Sequence, residues 1–208
     1  MLASVNYPVF EHPTEISASA YTYDHAFSPV REGHFVSFNL LNDLSRWQHF
    51  YNGAEIRGPF ITKNLFARPL VIAFYSNYWG KGSLEQLKHF NEIQHEIKAY
   101  GGNLLVIADE RDIKLEKLAW EHSLSLNFYF DTDGGMAEKF RVYPGGTTAW
   151  NRLSVIDPHI HLPAVYVLNA ARQVVYHHID HDLQGNYPEK DIINAVHQAV
   201  LADNKRSA

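Results

Sequence analysis

Four residues in the last third of the chain have side chains that could hold a metal ion. His159 and His161 lie just before Pro163, and Asp180 and Asp182 follow the run Gln173-Val-Val-Tyr-His177. Suppose this run and Ala164-Val-Tyr-Val-Leu168 form a hairpin in which Asn169 pairs with Arg172. His161 then falls opposite Asp180 and His159 opposite Asp182, all on one face. Two imidazoles and two carboxylates suit zinc or another divalent ion. A slip of one residue would put the ligands on opposite faces. In that case they join His177, His178 and His181 as solvated or locally hydrogen-bonded histidines at strand ends.

Thiol chemistry has no carrier. The 208 residues contain 13 His and no Cys, so there is no disulfide, thiolate zinc site or catalytic thiol. Ser83 is the hydroxyl that draws notice, but no G-x-S-x-G elbow surrounds it. The spacing Ser83-Leu-Glu-Gln86 reads instead as a capping box, with Ser83 as N-cap. Tyr75, Tyr78 and Trp79 could line a pocket for an apolar or planar ligand, or fill core. The pairs Gly134-Gly135 and Gly145-Gly146 lack phosphate-loop spacing and read as turns.

The elements that must position these residues follow from the apolar pattern. Pro69-Leu-Val-Ile-Ala-Phe-Tyr75 and Asn103-Leu-Leu-Val-Ile-Ala108 are continuous apolar runs, as in strands buried on both faces. Between them Leu84, Leu87, Phe90, Ile93 and Ile97 recur at helical spacing and stop at Gly101-Gly102. Residues 113–122 predict a helix, 128–130 a strand, 135–140 a helix, and 188–201 a final amphipathic helix. Leu44, Trp47 and Tyr51 predict a short helix over 43–51, and 58–62 reads as a short strand. Helix-length connections between buried strands require parallel pairing. The sequence thus predicts an α/β chain with a central mixed sheet flanked by helices. Residues 1–33, with Pro8, Pro13 and Pro29 and scattered aromatics, read as an N-terminal arm on a domain spanning 34–208. Residues 143–163 read as a long loop.

The net charge of −5 gives no footprint for nucleic acid. No apolar run approaches the ~18 residues of a membrane span. The start lacks the basic and apolar pattern of a signal peptide, which leaves the cytoplasm as the default expectation.

Four stretches, in order, resemble the AhpC/TSA peroxiredoxin-like and thioredoxin-like redoxin families across roughly residues 35–200. Arg68-Pro-Leu-Val-Ile-Ala-Phe-Tyr75 resembles the strand before the active-site loop. Ser83-Leu-Glu-Gln-Leu-Lys-His-Phe90 is similar to the helix that starts there. Phe130-Asp-Thr-Asp-Gly-Gly-Met-Ala-Glu-Lys-Phe140 resembles the family's D-x-D-G-x-x-A-x-x-(Y/F) segment, and Leu162-Pro-Ala-Val-Tyr-Val-Leu-Asn169 its P-x-x-F strand. The resemblance implies a thioredoxin-like fold with a proline, Pro163, in cis facing the loop. In the peroxiredoxin register Gly80 stands for the threonine and Ser83 for the reactive cysteine. In the thioredoxin register Trp79 and Gly82 stand for the two cysteines. Both registers stay open, and neither leaves a thiol. The peroxiredoxin pattern also wants an arginine near the last loop, for which Arg152 is the candidate.

The resemblance implies oxidoreductase ancestry, while the residues imply a redox-inactive module with no cofactor. Its partner would be an unidentified protein or small molecule, with no nucleic acid and no membrane. The alternative is a metal-binding protein or metal-dependent enzyme using the His/Asp cluster. A homodimer is expected by resemblance, with the arm as a possible exchange element.

Overall fold

The computed structural model describes residues 28–58, 62–109, 111, 114–142, 161–181, 183, 185 and 187–207. Seven strands form one mixed sheet: β1 (Trp47–Tyr51), β2 (Ala54–Glu55), β3 (Leu70–Tyr75), β4 (Asn103–Ala108), β5 (Asn127–Phe130), β6 (Ala164–Leu168) and β7 (Val174–Ile179). Their spatial order is β2-β1-β5-β4-β3-β6-β7. The helices are α1 (Thr62–Phe66), α2 (Lys81–Ala99), α3 (Leu115–Glu121), α4 (Gly135–Phe140) and α5 (Glu189–Ser207). As the apolar runs require, β3, β4 and β5 are parallel neighbours. Strands β6 and β7 complete the sheet as antiparallel partners of β3 and of each other.

Every residue of β3 is buried because the sheet carries apolar layers on both faces. Val71, Ala73 and Tyr75 meet Leu87 and Phe90 of α2, with α3 and α5 in the same layer. Leu70, Ile72 and Phe74 meet Phe140 of α4 and Leu65 of α1, with Val30, Val36 and Phe38 closing that layer. This period-two division of one strand between two cores is the architecture of a sheet sandwiched by helices.

Two local expectations are corrected. Residues 43–51 form not a helix but a 3-10 turn, Leu44–Arg46, followed by β1. Leu44, Trp47 and Tyr51 recur at spacings of three and four, which mimics a helical stripe, yet Leu44 and Tyr51 are exposed. In the strand Trp47 and Phe50 point to opposite faces and join the two different cores. Of the short strand expected at 58–62, residues 59–61 lie outside the described residues; Gly58 is outside any strand and Thr62 opens a helix, while the short strand that is described nearby, Ala54–Glu55, pairs with the end of β1.

Of the expected arm, residues 28–33 are described; Val30 N–H donates to Phe140 O and Gly33 N–H to Val174 O. Tyr7, Phe10, Tyr21, Tyr23 and Phe27, the long loop from 143 to 160, and Arg152 within it lie outside the described residues. Among the described residues no helix is long and apolar enough to cross a membrane.

Candidate functional site

The loop between β3 and α2 starts where two parallel strands end together. Tyr75 pairs with Ala108 in register, so the next residues, Ser76 and Asp109, emerge side by side. The Ser76 hydroxyl donates to Asp109 Oδ2 at 2.6 Å and accepts from the Tyr78 N–H at 3.2 Å. That second bond caps a 3-10 turn, Asn77–Trp79. Gly80 then takes φ +76° and ψ −135°, a conformation that L side chains rarely adopt, and turns the chain into α2. The sequence reading overlooked Ser76 and Asp109. The available signal was their place directly after two adjacent buried strands, the edge where open α/β sheets gather functional groups.

Trp79 is 8% exposed and fills the centre of this loop. Its indole N–H donates to the His161 carbonyl at 3.0 Å, and its ring lies 6.1 Å from Tyr75 and 5.7 Å from His161. Of the two readings offered for Tyr75, Tyr78 and Trp79, core filling describes Tyr75 and Trp79, while Tyr78 is exposed. Gly82 lies in the first turn of α2.

Ser83 does not cap α2. The helix begins at Lys81 with Gly80 as its cap residue, so Ser83 is third in the helix. Its side chain, 5% exposed, reaches back and donates to the Ser76 carbonyl at 2.7 Å. Gln86 does the same one turn on, its amide donating to Phe74 O at 3.0 Å. The capping-box spacing was right for the pair but wrong for their partners: both side chains tie α2 to the end of β3. A backbone carbonyl is no general base, so nothing in this bond activates the Ser83 oxygen as a nucleophile.

The expectation of a cis peptide at Pro163 is also corrected. Every peptide bond among the described residues is trans, the one before Pro163 included. A prolyl amide favours trans by only about 0.5–1 kcal/mol, so surroundings choose the isomer. Here the segment already runs extended: Leu162 N–H donates to Val142 O at 2.7 Å, and Pro163 O accepts from Asp180 N–H at 2.9 Å.

The metal reading relied on a hairpin register that the structure revises. Asn169 to Arg172 does form a turn, closed by Arg172 N–H to Asn169 O, but Arg172 is left-handed at φ +61° and adds a residue to the loop. A bulge between Val167 and Leu168 adds another. Asp180 therefore stands opposite Pro163, not His161. Its Oδ2 accepts the Gly185 N–H at 2.6 Å. His159 and Asp182 lie outside the described residues, among which no three His, Asp or Glu side chains gather into a metal site.

His161 is the most unusual group here. It is 1% exposed, edge-on to Phe74 at 5.3 Å, and neither ring nitrogen has a hydrogen-bond partner among the described residues. Burial pushes its pKa down to about 4, and the Leu162 backbone offsets this only in part. It is thus a neutral imidazole held in an aromatic wall.

The sequence model of the AhpC/TSA family matches residues 53–177. Among solved structures, the chain is similar to a reduced 2-Cys peroxiredoxin of Plasmodium vivax, with 13% identity, 85% of each chain covered and a TM-score of 0.60. It is similar to AhpC of Mycobacterium tuberculosis, with 8% identity, 85% of this chain and 96% of that one covered and a TM-score of 0.62. AhpC of Enterococcus faecalis gives 11% identity, 83% and 96% coverage and a TM-score of 0.59. At such identities the likeness is one of fold. No curated protein sequence matches the chain.

Proposed function

Because the chain belongs to the AhpC/TSA family, we propose that it keeps that family's thioredoxin-like scaffold as a binding module and performs no thiol turnover. The observation that carries this reading is the absence of cysteine from all 208 residues. Reducing a peroxide requires a thiolate that accepts oxygen and passes through a sulfenic acid. A serine hydroxyl neither ionises nor oxidises in that way. The packing of the loop agrees: Ser83 is engaged by a carbonyl, and Trp79 is buried against Tyr75 and His161. The scaffold then serves to present a surface to a protein or small-molecule partner. The test is a peroxidase assay with hydrogen peroxide and an alkyl hydroperoxide, using dithiothreitol or a thioredoxin-coupled reductant. Rates equal to those of heat-inactivated protein are expected, and turnover above that control would overturn the reading.

Self-association belongs to the same proposal. Tyr51 and Trp120 are among the most exposed large apolar side chains described. Both adjoin the β1–β2 turn, where a Cβ on Gly53 would lie 3.0 Å from Trp120 Cα. Contiguous exposed apolar surface marks contact sites, and these two rings are the part of the surface we assign to one. Analytical ultracentrifugation is expected to show a dimer that Trp120→Ala weakens; a monomer at every concentration would refute it.

A further inference from the structure

A groove of about 820 Å³ lies on another part of the molecule, between the outer face of α2, strand β7 and the start of α5. Its inner wall is aromatic. The ring of His89 stacks on Tyr187 at 6.0 Å and 25°, and His178 meets the same tyrosine edge-on at 6.0 Å. Tyr187 is anchored from behind by Phe90, 5.3 Å away, and Tyr176 extends the wall. Nε2 of His89 and Nε2 of His178 are both enclosed with no hydrogen-bond partner among the described residues. These nitrogens are closed to solvent, so a ligand in the groove meets the ring faces and edges instead.

The rim has the opposite character. Glu85 is paired with Lys88 at 3.0 Å, which leaves the carboxylates of Glu92 and Asp191 on the groove with no ion pair among the described residues. They come from different elements, α2 and α5, so the two charges stand on separate walls. The phenols between them stay protonated: burial, then Asp191, pushes Tyr176 up to about 12, and burial, then Asp180, pushes Tyr187 up as well. The groove therefore offers electron-rich, uncharged rings flanked by two separated negative charges.

We propose that this groove binds a small organic cation with at least two ammonium groups joined by a flexible carbon chain, a linear polyamine in chemical class. One ammonium group meets Glu92 and another Asp191. The methylene chain lies along Tyr187 and Tyr176, where ring faces also attract the cationic ends. A bare metal ion fits poorly, since no three ligating side chains converge, and an anionic ligand would be repelled by the rim. The inference goes beyond the proposed function, because the groove lies outside the Trp79 loop and its occupancy is independent of any peroxide turnover.

The experiment is titration of the full chain with spermidine at constant ionic strength, followed by calorimetry and by the imidazole signals of His89 and His178. Saturable one-to-one binding is expected, with both imidazoles shifting and affinity falling at least tenfold in the double variant Glu92→Gln, Asp191→Asn. That variant changes exposed carboxylates and should melt like the parent without ligand. Three results would overturn the proposal: no saturable binding at millimolar spermidine, equal affinity in the double variant, or displacement by equimolar magnesium, which would mean diffuse charge attraction. Binding of basic peptides but not of spermidine would also overturn it, assigning the groove to a protein partner.

Discussion

At the scale of single residues, the two most informative side chains are Ser83 and His161, and each makes a measurable claim. Ser83→Ala removes the donor to a buried carbonyl, a loss of about 1–2 kcal/mol, and urea unfolding should show a lower midpoint with an unchanged slope. If Ser83 were an exposed cap, the loss would fall on the helix start and the buried carbonyl would be untouched; hydrogen exchange at the β3–α2 junction separates the two. His161 predicts a pH dependence. Its folded pKa, about 4, lies below the ordinary ~6.5 of an unfolded histidine. The unfolded chain therefore takes up the proton first as pH falls. Stability from this group is full above about pH 6.5, declines between 6.5 and 4, and levels off below; the total is about 3 kcal/mol. Carboxylates titrate in the same region, so the parent is best compared with His161→Phe, which keeps a ring in the aromatic wall. The difference in unfolding free energy should shift in favour of the variant as pH is lowered from 7 to 4.5. Parallel curves would show that His161 is protonated in the fold or finds a partner there.

At the scale of elements, the loop and the cap of α4 show why local pattern revealed some of the design and not the rest. The buried strands β3 and β4 were legible because a run covered on both faces must be apolar throughout, and α2 because its buried side recurs every three or four residues. The start of α2 was misplaced by three residues, because Gly80 caps through its backbone while the capping-box pattern looks for a side chain. The hairpin register was misplaced because Arg172 takes a left-handed conformation that its side chain does not advertise. The segment Asp131-Thr-Asp-Gly134 shows a different logic. Asp131, 4% exposed, accepts from Met136 N–H at 2.9 Å and Ala137 N–H at 2.8 Å, and so closes the first turn of a six-residue helix. Burial raises its pKa although these amides pull the other way. Asp131→Ala should cost about 1–2 kcal/mol, as for other lost caps, and should speed amide exchange in α4 before other helices. Trp79→Ala is expected to cost more, about 3–5 kcal/mol, since it empties a filled space. Trp79→Phe, which loses the bond to His161 O but keeps a ring, should cost less. Equal stability of the three proteins would mean that the loop is not held by Trp79.

At the scale of the whole molecule, a seven-stranded open sheet has two edges, and exposed edges invite pairing with other chains. One edge is β2, only two residues long. The other is β7, six residues long, and its first part is covered by residues 33–36. Gly33 N–H donates to Val174 O at 2.8 Å, Val174 N–H to His34 O at 2.9 Å, and Val36 N–H to Arg172 O at 3.1 Å. Further along, Glu32 takes over the role of a strand: its Oε1 accepts the backbone N–H of His177 at 3.0 Å and lies 2.7 Å from the Nδ1 of the same residue. Arg172 fastens the segment from the other side, donating to Phe38 O at 2.7 Å with its guanidinium over the rings of Phe66 and Phe38. Residues 30–38 thus supply a hydrophobic layer and an edge guard together, a more integral part than the surface arm that composition suggested for their first residues. Glu32→Ala should leave the fold intact, because Glu32 is exposed, yet it frees the His177 N–H at the open end of β7. Faster exchange of that amide is expected, together with concentration-dependent light scattering at temperatures below the melting point. Glu32→Lys should expose the same N–H but scatter less, since a charge on an edge discourages pairing. If Glu32→Ala scatters no more than the parent while the His177 amide exchanges faster, the bond protects only its own amide. The guarding of the edge then falls to the backbone pairing of Gly33 and His34.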